Sequence, residues 1–280
     1  MPPKTWKQYR DVAEFFTRPK DDLYGHIAMP GAAIAADFYE NAQTYGLPAR
    51  GFTVARRASV ENGGLMNSER AIAWLTDYCD LKQFGPPGIE SMGWEEAAGQ
   101  FLAGRVAMAI VWADSVAEIS NPSVSKLKPG QADCTWLPIE PKYMLFHIPT
   151  IYGDMGTYCI ASASRHKEAA FIFAQYLSSP EIQAMEMEQM NTICTRVSLL
   201  YSTLASEMDR KLGWNYFNFM KTAWNLGELY GPEIAIAEGA DVYDLANRIL
   251  PKAYVGEVTP KQALDELAEA VDARMKELGW

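Results

Sequence analysis

The sequence lacks most of the residue patterns that carry covalent or metal chemistry. Its 280 residues include three histidines, His26, His147 and His166, and their separations exclude the HExxH and HxxxH pairs that set two imidazoles on one helix face. Four cysteines, Cys79, Cys134, Cys159 and Cys194, occur without CxxC spacing. Each sits among apolar or aromatic neighbours, so buried free thiols are expected rather than a disulfide pair. No GxSxG elbow, GxxxxGKS/T loop or GxGxxG turn occurs, and "GDMG" at 153–156 has only the glycine spacing of a phosphate-binding turn. No metal and no cofactor is expected.

Positive charge is short as well. Twenty-five basic residues stand against 35 acidic ones, for a formal charge of −10 and a pI near 4.9, a balance that repels phosphate backbones and anionic membrane surfaces. A nucleic-acid partner is therefore not expected. Long apolar runs are missing too: the stretch Val106 to Ala113 falls well short of the ~20 residues of a spanning helix. The opening "MPPKTWKQYRDVAEFF" has no basic stretch leading into an apolar region and a cleavage site, so no secretory signal is read there. On that reading the chain is either cytoplasmic or begins after its natural start.

What is present is a globular pattern. Hydrophobic residues make up 49% of the chain, enough for one large domain or two modest ones. Thr5 and Gln8 form a capping box ahead of Trp6, Tyr9, Val12, Ala13 and Phe16 at helical spacing. A second helix is expected in "NSERAIAWLTDYCDL", capped by Asn67 or Ser68 and turning Ile72, Leu75 and Cys79 to one face, until "GPPG" at 85–88 stops it. "WEEAAGQFLAG" reads as a helix ending at Gly104. Val106–Val111 then reads as a strand, and its lack of polar alternation predicts cover on both faces, as in a parallel sheet. Trp112 lies just past its carboxyl end, where open α/β sheets bind ligands.

The Pro-, Gly- and Ser-rich stretch from Ser120 to Gly156 reads as loops and short strands. "TYCIASAS" at 157–164 reads as a short buried strand, with Ser164 capping the next helix and Ser179–Pro180 opening another. The last hundred residues read as mostly helical. They end on a Thr259, Pro260 and Gln262 cap and a core stripe of Leu264, Leu267, Ala268, Val271, Met275 and Leu278. The adjacent acids Glu95 and Glu96 point about 100° apart on a helix and suit its positive amino end better than acid–base chemistry. Aromatics are plentiful, 8 Trp, 14 Tyr and 11 Phe. Rings such as Trp112, Tyr152, Trp214, Trp224 and Tyr243 can stack on the apolar faces of sugars while polar neighbours take the hydroxyls.

Five stretches fall in one order along the chain: "PPKTWKQYRDVAEFF", "FLAGRVAMAIVW", "SRHKEAAFIFAQYLSSPEIQ", "TRVSLL" and "VGEVTPKQALDELAEAVDARMKELG". In that order they resemble a Pro-x-Thr-Trp segment, a Phe-x-x-Gly-x-x-Ala-Met stretch with its following aromatic, a helix–Ser-Pro-Glu–helix unit, the segment after it and a closing helix. These belong to the extracellular solute-binding proteins of ABC sugar importers, a maltose-binding-protein-like family. The resemblance implies an α/β, periplasmic-binding-protein-like two-lobed fold of type II, closing by a hinge over a sugar or related polyhydroxy solute. It also implies that lobe 1 is incomplete. Residues 1–147 and 198–280, with a helical C-terminal region, would build lobe 2, and 148–197 would be the remnant of lobe 1. The implied partners are the ligand and the membrane permease subunits of an ABC transporter. The implied protein is a monomer in the periplasm or outside the cell.

Carried onto this sequence, the resemblance makes Trp112 the aromatic that lines the cleft and Tyr243 a stacking ring in a late helix. Arg196 becomes the polar contact after the Ser-Pro-Glu helix. Gly153 and Gly156 stand where the family has adjacent glycines, here split by Asp154 and Met155. Trp94 and Asp114 join them by nearness to the same strand, and Tyr152 as a further ring. Two other readings stay open. A carbohydrate-processing enzyme would need opposed carboxyl groups roughly 5–10 Å apart, for which no motif is present. Alternatively, the chain binds nothing by itself because half its cleft is gone.

Overall fold

A computed structural model describes residues 1–31, 33–47, 56–119, 121–144, 158–226 and 238–280, and the backbone of 151–152 and 229–230. Its elements run α1 (Trp6–Phe16), α2 (Ile34–Asn41), α3 (Glu69–Leu81), α4 (Trp94–Leu102), α5 (Val116–Ile119), β1 (Ile151–Tyr152), α6 (Lys167–Leu177), α7 (Pro180–Met190), α8 (Val197–Leu200), α9 (Thr203–Leu212), α10 (Tyr216–Leu226), β2 (Leu229–Tyr230), α11 (Gly239–Tyr254) and α12 (Pro260–Glu277). Among the described residues no helix is long and apolar enough to cross a membrane. The chain divides into two compact units: residues 1–111, 136–152 and 228–280, and residues 112–135 and 153–227. In the second unit α9 packs on α7, α8 and α10.

Several helices start on side-chain caps, each satisfying an amide that the first turn leaves open. Thr5 accepts from the Gln8 N–H at 3.2 Å, but the Gln8 carboxamide takes the Lys4 N–H at 2.8 Å, so the expected box closes one residue early. Ser68 caps α3, Ser179 caps α7 with Pro180 in its first turn, and Ser202 caps α9. At α12 the box is complete, Thr259 N–H donating to Gln262 at 2.9 Å. Ser164 accepts the His166 N–H, and α6 begins two residues later than a Ser164 cap would place it, with His166 at the cap position. Gly104 takes the left-handed conformation, φ 70°, just past α4.

In the first unit the core gathers around α2, where every residue except Glu40 is buried. Helix α11 packs on both α2 and α12, and α12 on α3. The buried face of α3 carries Ala71, Trp74, Leu75, Tyr78 and Leu81. The expected face of Ile72, Leu75 and Cys79 is therefore corrected by a rotation that turns the two aromatics inward, where Trp74 meets Phe38 at 5.3 Å and stacks on Tyr78 at 4.9 Å. The α12 stripe is buried from Leu264 to Met275, while Leu278, past the helix end, is exposed.

Some polar groups inside this core are paired, while the Gln43 amide nitrogen and the Tyr254 hydroxyl have no hydrogen-bond partner among the described residues. Asp37 accepts from the Met29 N–H at 2.9 Å, from Asn41 at 3.2 Å and from the Tyr78 hydroxyl. Burial nevertheless lifts its carboxyl to about 6. His26 is buried against the Tyr9 hydroxyl, 2.8 Å from Nδ1, and burial pushes its imidazole down to about 3. Near the surface, Asp272 of α12 collects the N–H groups of Ala58 and Ser59 at 2.7 and 3.1 Å and the Asn62 amide at 2.8 Å. Arg56 donates to Glu238 at 3.1 Å and lies 3.8 Å from the ring of Trp280, whose indole N–H also reaches Glu238 at 2.9 Å.

The expected strand 106–111 takes a weaker form. Tyr24 pairs with Val106 and Ile27 with Ala109 as isolated parallel bridges, joined by the alternating bonds Tyr24 N–H to Arg105, Ala107 N–H to Tyr24, Ile27 N–H to Met108 and Ile110 N–H to Ile27, at 2.9–3.0 Å. The parallel direction matches the expectation. Cover on both faces does not: Val106 is buried, but 107–111 are half-buried. The α/β class needs the same correction. β1 and β2 pair in parallel, Ile151 with Leu229 and Tyr152 with Tyr230, yet helices dominate the described residues and each strand is two residues long.

The second unit has a smaller core, built from Val116, Met187, Leu200, Ala205, Met208, Leu212, Trp214, Tyr216 and Phe217. α9 and α10 break at Gly213, φ 67°, where a Cβ would stand 2.4 Å from the Gly130 amide nitrogen; only glycine fits both demands. The expected buried strand at 157–164 is overturned: residue 157 lies outside the described residues, and 158–163 are exposed and form no strand. Cys159 is exposed with them, against the expectation of a buried thiol, whereas Cys79, Cys134 and Cys194 are half-buried and all four are free. No residue of α6 is buried.

Candidate functional site

The bonded segment 105–110 delivers the chain to Trp112, the residue that opens the second unit. Its backbone stays extended, φ −71° and ψ 152°, and it caps a short 3-10 turn at 113–115 that runs straight into α5. Its carbonyl accepts the Ser115 N–H at 3.2 Å and its indole is half-buried. Two residues on, Asp114 is exposed and accepts the same Ser115 N–H at 2.9 Å. The turn thus sets an aromatic face and a carboxylate close together in the chain, the pairing that suits a ligand with apolar faces and hydroxyl edges.

Arg196 belongs to the same unit. Just ahead of α8 it is exposed, and its Nε donates to the Ser178 carbonyl at the end of α6 at 2.6 Å. Gln183 of α7 holds the neighbouring Thr195 through both backbone and hydroxyl, at 3.2 and 2.9 Å. Part of the guanidinium's donor capacity is thereby committed to closing a helix end, a role that sequence spacing does not reveal.

Three other candidates stand in the first unit. Tyr243 is half-buried on α11, its ring stacked with buried Tyr39 at 6.4 Å and 25°. Trp94 is exposed at the first position of α4. Tyr152 lies in β1, in register with Tyr230. Gly153 and Gly156 lie outside the described residues, as does His147. The acids Glu95 and Glu96 sit in the first turn of α4, where Glu96 takes the Gly93 N–H at 3.1 Å. Of the other two histidines, His26 is core and His166 is exposed.

Some features escaped sequence reasoning. A cleft of about 670 Å³ in the first unit is lined by Thr17, Tyr24, Cys79, Asp80, Lys82 and Glu90, among others. Burial pushes the Cys79 thiol up to about 12, so it does not offer a thiolate there. A recess of about 350 Å³ in the second unit is lined by Asn121, Pro122, Gln189, Met190 and Asn191. Asn191 takes a left-handed conformation, φ 57°, at the end of α7, and an asparagine in that place is the only sequence signal of the recess. Trp214 is buried with no partner for its indole N–H among the described residues. Among the described residues no cluster of three or more His, Cys, Asp or Glu side chains could hold a metal ion.

Residues 2–184 match the family model described as bacterial extracellular solute-binding protein. None of the curated proteins matches the chain in sequence. Among solved structures, an ABC transporter solute-binding protein of Agrobacterium radiobacter in complex with ribitol is similar over 98% of this chain and 65% of its own, at 20% identity and a TM-score of 0.73. A maltose-bound T. maritima protein is similar over 97% of this chain and 65% of its own, at 17% identity and a TM-score of 0.77. An ABC transporter solute-binding protein of Agrobacterium vitis with bound D-mannitol is similar over 100% of this chain and 67% of its own, at 19% identity and a TM-score of 0.75. These likenesses show a shared fold. The chain spans about two thirds of the length of each of these proteins.

Proposed function

Since the chain belongs to the family of bacterial extracellular solute-binding proteins, we propose that it serves as the substrate-binding component of an ABC importer and takes a sugar or polyol. The observation that carries this reading is the family match over residues 2–184 together with the half-buried Trp112, which follows a parallel-bonded segment and stands two residues from Asp114. Ribitol, maltose and D-mannitol are the ligands in three proteins of the same fold, and a neutral polyhydroxy ligand suits a chain of net charge −10. The family is one of binding proteins, so turnover is not part of the reading. Its working partners would be the permease subunits, met as a monomer outside the cytoplasm.

Under this reading Trp112 supplies the stacking face within the second unit, where Asp114 and Arg196 take hydroxyls, and Tyr243 is a separate candidate ring of the first unit. Tryptophan emission should shift on titration with ribitol, D-mannitol or maltose, and Trp112→Ala should weaken the response about tenfold, near 1.4 kcal/mol. Titration across mono-, di- and oligosaccharides and polyols with no response, or full affinity in Trp112→Ala, would sink the proposal. Sugar cleaved during long incubation would favour the enzyme reading instead.

A further inference from the structure

The stretch "FGPPGIE" at 84–90 stops a helix and leaves a wall poor in hydrogen-bond donors. Pro86 and Pro87 carry no N–H, and the amides of Gly85 and Ile89 are committed to the Lys82 and Pro86 carbonyls, at 3.0 and 3.1 Å. Together with residues just past α1 and at the end of α3, this wall bounds the cleft of about 670 Å³ in the first unit, a size that suits a small organic ligand. Its charged groups are Asp80, Lys82 and Glu90. Asp80 already accepts from Arg10 at 3.2 Å. Lys82 and Glu90 face one another at 3.9 Å, beyond hydrogen-bond length, so two opposite charges stand across a gap. Lys82 Nζ also lies 5.5 Å from the centre of the Tyr254 ring. Tyr254 is 4% exposed, and its hydroxyl has no hydrogen-bond partner among the described residues. Burial first, then Cys79, Asp37 and Glu90, hold that hydroxyl above its ordinary pKa; Cys79 and Glu90 belong to the cleft wall. An orphaned polar group beside a cleft is a cost that a ligand can remove.

We infer that this cleft binds a free α-amino acid with a large apolar side chain. An α-ammonium and an α-carboxylate sit on one carbon, so a single ligand answers both charges of the gap, its carboxylate on Lys82 and its ammonium on Glu90. The Tyr254 hydroxyl donates to the same carboxylate, and the side chain lies along Pro19, Pro86 and Pro87, which line the cleft. A simple cation would have to displace Lys82, and a neutral polyol would leave both charges unanswered. The site belongs to the first unit, whereas Trp112, Asp114 and Arg196 belong to the second. It is thus a second ligand site, and it does not rest on the sugar reading.

Titration of the full chain with L-phenylalanine, by calorimetry and saturation-transfer NMR and with no sugar present, tests the inference. Binding with a Kd of about 1 mM or tighter is expected. Phenethylamine, which lacks the carboxylate, and hydrocinnamate, which lacks the ammonium, should each bind at least about tenfold more weakly. Lys82→Met and Glu90→Gln change side chains that are 35% and 42% exposed, so circular dichroism should stay the same while affinity for L-phenylalanine falls about tenfold. Tyr254→Phe should lower it about threefold. No binding by either method, full affinity in any of the three variants, or binding of phenethylamine, hydrocinnamate or D-mannitol in this cleft as tight as that of L-phenylalanine would each overturn the inference.

Discussion

The two units of this chain use aromatic residues in opposite ways. In the first, Phe38, Tyr39, Tyr45 and Trp74 are fully buried around α2, and buried Asp37 is paired with Asn41 and Tyr78. In the second, Phe217 and Trp214 reach a core, but Phe171, Phe173 and Tyr176 stay in solvent. Composition is similar in both; what differs is the number of elements available to cover each face. α2 has α11 and the residues around α3 beside it, whereas among the described residues α6 has only α7 as a substantial neighbour. A side chain's apolarity therefore states a demand for cover, and the surrounding elements decide whether it is met.

This contrast is open to direct attack. The largest effect is expected at the centre of the closed core: Trp74→Ala should cost about 3–5 kcal/mol in urea unfolding. Next comes the buried ionic pattern of the same core. Asp37, raised to about 6, contributes stability fully present below pH 3.8 and lost as pH rises through 6. His26, lowered to about 3, contributes stability present above pH 6.5 and lost as pH falls toward 3. Between pH 4 and 6 the two slopes oppose each other, each near 1.4 kcal/mol per pH unit at most. Urea midpoints of the native chain should change little across that window, those of Asp37→Asn should fall steadily as the solution is acidified, and those of His26→Asn should rise. Parallel profiles for the three proteins would refute this arrangement.

Smaller effects are expected at the surface of the same unit. Burial opposes ionisation of Asp272, but hydrogen bonds from Ala58, Ser59 and Asn62 outweigh it and hold the carboxyl below its ordinary value. Asp272→Asn should cost about 1–3 kcal/mol at neutral pH, a penalty that fades once pH falls below 3.8 toward the depressed folded value. Thr259→Ala should cost about 1 kcal/mol by removing the α12 cap. Least of all, Phe173→Ala should change stability by less than about 0.5 kcal/mol. A loss there comparable with that at Trp74 would erase the distinction between the units.

Local chemistry was the legible part of the sequence. Thr5, Ser68, Ser179 and Thr259 each cap the helix they announce, because a cap involves only the next three residues. The position of Trp112 after a parallel-bonded stretch was likewise written in the Gly104 stop and the apolar run. Helix α2 was not legible: "IAADFYEN" is buried almost all round and so shows no clean amphipathic stripe. At 158–163 the composition of a buried strand gave the wrong exposure, because cover is a property of distant neighbours. The same holds for Arg196, whose tie to the Ser178 carbonyl joins residues 18 apart.

The clasp formed by Arg56, Glu238 and Trp280 makes one carboxylate answerable to two partners, 182 and 42 residues away along the chain. Deleting Trp280 alone would remove both the indole donor and the ring under the guanidinium, leaving Arg56 and Glu238 a simple ion pair at the rim of the unit. Loss of the Trp280 ring would therefore loosen two distant stretches at once, and Trp280 emission reports whether that fastening is closed.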